Sequence, residues 1–136
     1  MEEVALSDCA LEVEGRHLED LFETAALALA HVMVDPLTIT ISVERVITLE
    51  APGPDLLLYD WLSELIFRKD RDREIFVRSE VRIEGAGPFR LEARAQGGSI
   101  DPRHTALGAD AKAVTFHQFA LEQVSGGWRA RVVIDI

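Results

Sequence analysis

Two periodicities take turns along this chain. Leu18, Leu21, Phe22, Ala25, Leu29, Val32 and Met33 recur at helical spacing, with Glu19, Asp20 and Glu23 near the start. Such a stripe predicts an amphipathic helix whose early acids complement the positive end of its dipole, closed by Asp35-Pro36. A second stripe, Leu57, Leu58, Trp61, Leu62 and Leu65, runs through "DLLLYDWLSELIFRKD", with Arg68 and Lys69 at its C-terminal end. "APGP" breaks the chain before it, and Asp55 is read as its cap. Elsewhere apolar and polar residues alternate. Val4 to Glu14 reads as a strand ending at Gly15, with a change of phase between Ala10 and Leu11 that suggests a bulge. Leu37, Ile39, Ile41 and Val43 predict another strand, continued through Val46 to Leu49. Ile75/Val77/Val81/Ile83 and Phe89/Leu91/Ala93/Ala95 form two more, joined by "GAGP". Gln96 to Asp110 reads as a polar, glycine-containing loop. Lys112–Val124 and Trp128–Ile136 are the last two strands, joined by the turn signal "SGG". Two helices among about six clustered strands predict an α+β fold. The expected architecture is two amphipathic helices packed on a mostly antiparallel β-sheet, in a single domain spanning residues 1–136.

Composition narrows the function classes. With 136 residues, 48% hydrophobic and 28% charged, the chain has the makings of one globular domain rather than a disordered segment. No internal repeat is visible, and no apolar run approaches bilayer length. The acidic opening "MEEVALSDCA" does not resemble a secretory leader, so a cytoplasmic protein without a membrane partner is expected. The single cysteine, Cys9, has no partner for a disulfide and reads as a small hydrophobe. Acids outnumber bases 24 to 14, a net charge of −10. That excess repels phosphate backbones, which argues against direct tight nucleic-acid binding and for a basic protein or a cation as partner.

No phosphate-binding glycine loop, HExxH, CxxC or nucleophile elbow occurs, so the candidate chemistry rests on carboxylates, histidine and lysine. Asp8 interrupts an otherwise apolar strand, in phase with Val4 and Leu6. Alone, such an acid more often accepts backbone N–H groups at an irregularity. Asp135 shares a phase with Arg129 and Arg131, and alone reads as a solvated face with weak cross-strand ion pairs. Taken together they say more. If the first and last strands are neighbours, Asp8, Asp135 and the carboxylate of Ile136 converge as hard oxygen ligands. Those suit Ca²⁺, Mg²⁺ or Mn²⁺ rather than zinc. "DPRHTALGADAKAVTFH" adds Asp101, His104, Asp110, Lys112 and His117, whose ordinary reading is a solvated or ion-paired loop. His17 and His31 receive no role, and Asp60 and Glu64 read as the outer face of the second helix.

Four segments in order, "LEDLFETAALALAHVMVDP", "LLLYDWLSELIF", "AKAVTFH" and "GWRARVVIDI", resemble the archease family over nearly the whole chain. That resemblance implies a non-enzymatic activator of the GTP-dependent RNA ligase of tRNA splicing and RNA repair. The ligase joins 2′,3′-cyclic-phosphate or 3′-phosphate ends to 5′-hydroxyl ends. Its activator promotes guanylylation of the ligase's active-site histidine and multiple turnover. The resemblance also implies a metal site of Asp8, Asp135 and Ile136 for a divalent cation, Ca²⁺ foremost and Mg²⁺ or Mn²⁺ next. By the same resemblance Lys112 joins Asp8 and Asp135 in activating the partner; Asp101 and His104, from the loop before it, are candidate supporting residues. The family's usual His-Thr-Ala-Asp is Ala5-Leu6-Ser7-Asp8 here, and its following Val-Gly is Cys9-Ala10. A different class of function remains open: a chaperone or interaction module that recognises partners through a sheet edge. A stand-alone metal-dependent hydrolase is weaker, because few polar groups cluster and no general base is marked.

Overall fold

The computed structural model describes residues 8–136, the side chain of Asp8 excepted; the expected strand residues Val4–Ser7 lie outside it. The elements in order are β1 (Asp8–Gly15), α1 (Leu18–Met33), β2 (Val43–Ala51), α2 (Pro54–Asp72), β3 (Glu74–Gly85), β4 (Phe89–Ser99), β5 (Ala113–Val124) and β6 (Gly127–Asp135). The fold is α+β, as the alternating periods predict. The strands form two three-stranded antiparallel sheets rather than one, ordered β1-β6-β5 and β2-β4-β3.

Both helices turn their apolar stripes into a core shared with the two sheets. Leu21, Phe22, Ala25 and Leu29 of α1 meet Leu57, Leu58, Trp61 and Leu62 of α2, all fully buried. The Trp61 indole donates to the carbonyl of Phe22 at 3.0 Å, satisfying a polar N–H that would otherwise be costly at that depth. The first turn of α1 is tied by the Asp20 carboxylate, which accepts from the His17 backbone at 3.0 Å. Gly53, not Asp55, caps α2, and Pro54 takes the first helical position, where its missing N–H costs nothing. Glu23 and Glu19 of α1 accept from the outward N–H groups of Val81 (2.8 Å) and Ile83 (3.4 Å), covering the free edge of β3.

Three local expectations fail for identifiable reasons. Leu37–Ser42 is not a strand: Asp35 accepts from Leu37 N at 3.1 Å and winds Pro36–Thr38 into a 3₁₀ turn, and β2 starts only at Val43. The loop does not begin at Gln96, because β4 continues to Ser99 through Gly97 and Gly98. A Cβ on Gly97 would lie 1.9 Å from the Ile75 carbonyl oxygen, and one on Gly98 would lie 2.0 Å from that of Thr40. Those glycines admit close backbone neighbours; they do not mark a turn. β1 pairs with β6 without a shift at Ala10/Leu11, so no bulge forms there. The irregularities fall in β3 between Phe76 and Arg78 and in β5 between Thr115 and Ala120.

Candidate metal and partner-activation site

Strand β6 runs between β1 and β5, and its last residue carries the site. Asp135 is the register partner of Asp8 on one side and of Ala113 on the other. The Lys112 N–H donates to the Asp135 carbonyl at 2.7 Å, so the lysine backbone is fastened to the aspartate. Ile136 packs half-buried against the core. The topology therefore gathers Asp8, Lys112, Asp135 and Ile136 at one end of the β1-β6-β5 sheet. Further along β6, Arg131 pairs with Glu12 and Arg129 with Glu122 across the ladder, as the shared phase suggested. No described cation lies within ion-pairing distance of the Asp135 carboxylate, which leaves that group available.

Lys112 owes its place to a second lysine. Lys69 lies on the inner stripe of α2, four residues after Leu65, and only 8% of it is exposed. Its ammonium donates to Asp110 Oδ1 at 2.5 Å and to the Ala111 carbonyl at 2.8 Å, and pairs with Asp70 Oδ1 at 2.7 Å. Burial would pull its pKa down, but the hydrogen bonds and charges of Asp110 and Asp70 outweigh that and hold it above its ordinary value. The same Lys69 bond holds the Asp110 carboxyl below the usual carboxylate range. Lys69 thus pins the two residues that precede Lys112. In the sequence Lys69 reads only as a cation at a helix end, and this role is not foreseen. The signal was present: the apolar stripe leads to a lysine where a leucine is due, and a charge there needs partners.

The rest of the connecting loop closes α1. Gly108 N and Ala109 N donate to the carbonyls of Met33 (2.8 Å) and Val32 (2.9 Å), Asp35 N donates to Ala106, and Val34 bridges Leu107. Helix-end carbonyls that lack intrahelical partners are satisfied in this way. Asp101 serves its own loop: its carboxylate accepts from Arg103 N at 2.9 Å, and its carbonyl from His104 N and Thr105 N. His104 Nε2 sits 3.9 Å from Asp101 Oδ2 on an exposed surface. No described hydrogen bond or ion pair joins Asp101 or His104 to Lys112 or Asp135.

Among the described residues, no three His, Cys, Asp or Glu side chains cluster to hold a metal. The expected ligand set is of another kind, since it includes a main-chain carboxylate and the undescribed Asp8 side chain. Its donors are all oxygens, and the Asp135 carboxylate has no ion-pair partner among the described residues. That chemistry fits a hard divalent ion. The same part of the fold carries an exposed lysine and an aromatic cluster whose Phe116 is exposed. Tyr59 stacks on Phe116, with centroids 4.2 Å apart and planes within 6°, and Phe119 packs edge-on against both.

Fold and site together define a small α+β protein with an acid-and-lysine tip where two strands end. The model of the "Archease protein family (MTH1598/TM1083)" matches residues 3–136. A protein archease from Methanosarcina mazei is 37% identical over 90% of this chain and 85% of its own length. One from Pyrococcus furiosus is 36% identical over 96% and 93%. The solution structure of Methanobacterium thermoautotrophicum protein 1598 superposes with a TM-score of 0.80 at 31% identity, covering 98% of this chain and 96% of that one. The crystal structure of a Thermotoga maritima archease, described as a possible chaperone, shares the fold at a TM-score of 0.67 and 19% identity over 100% and 98%. The chain belongs to the archease family. None of the described helices is long and apolar enough to cross a membrane.

Proposed function

We propose that this protein is the non-enzymatic activator of a GTP-dependent RNA ligase, promoting guanylylation of the ligase and its multiple turnover. One observation carries the reading: Asp135 sits in register with Asp8 while its carbonyl accepts from Lys112 N at 2.7 Å. Two residues far apart in sequence thereby meet a lysine at one exposed end of a sheet. Acidic residues at opposed positions of a ladder are unfavourable unless a cation or donor compensates them. Asp8, Asp135 and the carboxylate of Ile136 would hold a divalent cation, Ca²⁺ foremost. A hard cation there would supply concentrated positive charge for phosphate oxygens.

The chain's own residues do the rest. Asp135 and Ile136 present oxygen donors from a strand end anchored on the core. The Lys69 clamp on Asp110 and Ala111 fixes the approach to Lys112. Lys112, exposed on the α2 side of the sheet, would act as a point charge able to neutralise charge that builds on a phosphate during attack. The net charge of −10 agrees with a tip that reaches into a protein pocket instead of gripping RNA.

The test is single-turnover guanylylation of the purified ligase with GTP, with and without this protein. Acceleration by the wild type that Asp135→Ala abolishes supports the reading. An unchanged rate with wild type overturns it.

A further inference from the structure

Eight large apolar side chains stay exposed among the described residues, and three of them lie on α2 and the adjoining β5: Leu56 (40%), Phe67 (50%) and Phe116 (58%). Leu56, Tyr59, Ser63 and Phe67 recur at helical spacing on the outer side of α2, giving this helix a second apolar stripe opposite the one in the core. Phe116 reaches that stripe because β5 loses register with β6 between Thr115 and Ala120, where Gln118 takes a φ of +53°. The displaced residues carry Phe116 onto Tyr59. A cleft of about 240 Å³ opens between α2 and the start of β5, floored by Ile66 and Val114, with Phe67, Asp70 and Lys112 on its walls.

The charges around this face say what fills it. α2 carries five carboxylates against three cations. Arg68 is held by Glu64, Arg71 by Asp72 and Lys69 by Asp70 and Asp110, so Asp55 and Asp60 are left with no ion-pair partner among the described side chains. The cleft itself carries one lysine and one paired acid, and Arg71 lies over the Phe67 ring, but the aromatic face outside it is bordered by the unpaired Asp55 and Asp60. Apolar side chains bordered by free carboxylates repel a phosphate backbone and attract a protein surface in which an apolar side chain stands among lysines or arginines. We infer that the Leu56–Tyr59–Phe67–Phe116 face is a docking surface for an apolar, positively rimmed patch of a partner protein. On the reading above that partner is the ligase. The face holds it while the adjoining Lys112/Asp135 tip works in the pocket. Affinity and activation then reside in different residues that share a border at Lys112.

Titration of the fluorescently labelled protein with the purified ligase tests this. Phe67→Ser and Phe116→Ser, both at exposed positions, are expected to weaken binding roughly tenfold or more, as central aromatic anchors do. Val46→Ser, equally exposed but on β2, is expected to bind as wild type does. Asp60→Lys is expected to weaken binding and flatten its dependence on salt. Wild-type binding that neither phenylalanine variant weakens overturns the docking surface and leaves the proposed function standing. Tighter binding by Asp60→Lys overturns the cationic partner. A wild-type protein that does not bind the ligase overturns both.

Discussion

Replacing Lys69 by Met separates what the clamp does for stability from what it does for the site. Methionine fills much of the same space, so packing in the α2 stripe is nearly kept. The ammonium goes, and with it three oxygen contacts. Removing one member of a buried ion pair ordinarily costs about 3–5 kcal/mol, because a charge is stranded away from water. Here the stranded acids are not buried: the side chains of Asp110 and Asp70 are 74% and 58% exposed, and water takes over from the lysine. The Ala111 carbonyl is different, because Ala111 is fully buried and Lys69 is the donor it loses. One buried acceptor left without a donor costs about 1–3 kcal/mol, and that is the expected loss by urea denaturation at neutral pH.

The pH dependence has a definite sign. Asp110 is held below its ordinary pKa, so its bond to Lys69 stabilises the fold above the unfolded carboxylate range and the contribution fades as pH falls through the folded value. The gap between wild type and Lys69→Met should narrow on acidification. Lys69, held above its ordinary pKa, contributes fully below its unfolded value and loses that contribution only as pH rises through the raised one. A second measurement follows the site itself. Hydrogen exchange at the Lys112 amide, which donates to Asp135, should quicken relative to amides of the β3-β4 ladder. Equal exchange at Lys112 in both proteins, or a loss below about 0.5 kcal/mol, would refute the clamp.

Other expected outcomes bear on the tip. Lys112→Ala should leave the urea midpoint within about 0.5 kcal/mol of wild type while ligase guanylylation falls roughly tenfold or more, as single-turnover kinetics would read. Asp8→Ala should weaken Ca²⁺ binding in calorimetry; equal affinity would remove Asp8 from the ligand set. Adding one residue after Ile136 moves the carboxylate by about 3.3–3.6 Å, more than a coordination bond of about 2.3–2.6 Å tolerates. Such a variant should melt normally and stimulate poorly, and full stimulation would exclude the terminal carboxylate as a ligand.

How much of this was legible in the sequence depends on which interactions decide each element. The helices were readable because period and burial coincide: the predicted stripes of α1 and α2 are the buried faces. The hairpin at Ser125-Gly126 was readable because turn chemistry is local, and Gly126 takes a φ of +84°. Leu37–Ser42 misled because alternation alone cannot supply a partner strand, and Asp35 offered the backbone a local turn instead. Gly97 and Gly98 misled because the reason for them lies on other segments, at Ile75 and Thr40. The pairing of β1 with β6 entered only as a condition, from the usual closeness of chain ends, whereas the Lys69 clamp, which joins residues about 40 positions apart, could only have been suspected from a charge on an apolar stripe.

The same interactions bear on the rival reading, a module that recruits partners by adding a strand. Strand addition needs a free row of backbone donors and acceptors. The edge of β3 is engaged by Glu19 and Glu23. β5 runs beside α2 and breaks its regular course between Thr115 and Ala120. β2 carries exposed Glu44, Arg45 and Glu50 along its length, and β1 exposes Glu12 and Glu14; charges of that kind discourage edge pairing. What the fold leaves open for a partner is side chains: an aromatic face on α2 and β5, and an acid-and-lysine tip beside it. A partner that binds there should be insensitive to the backbone of β1 and β2 and sensitive to Phe67, Phe116 and Lys112. Strand addition would give the opposite pattern.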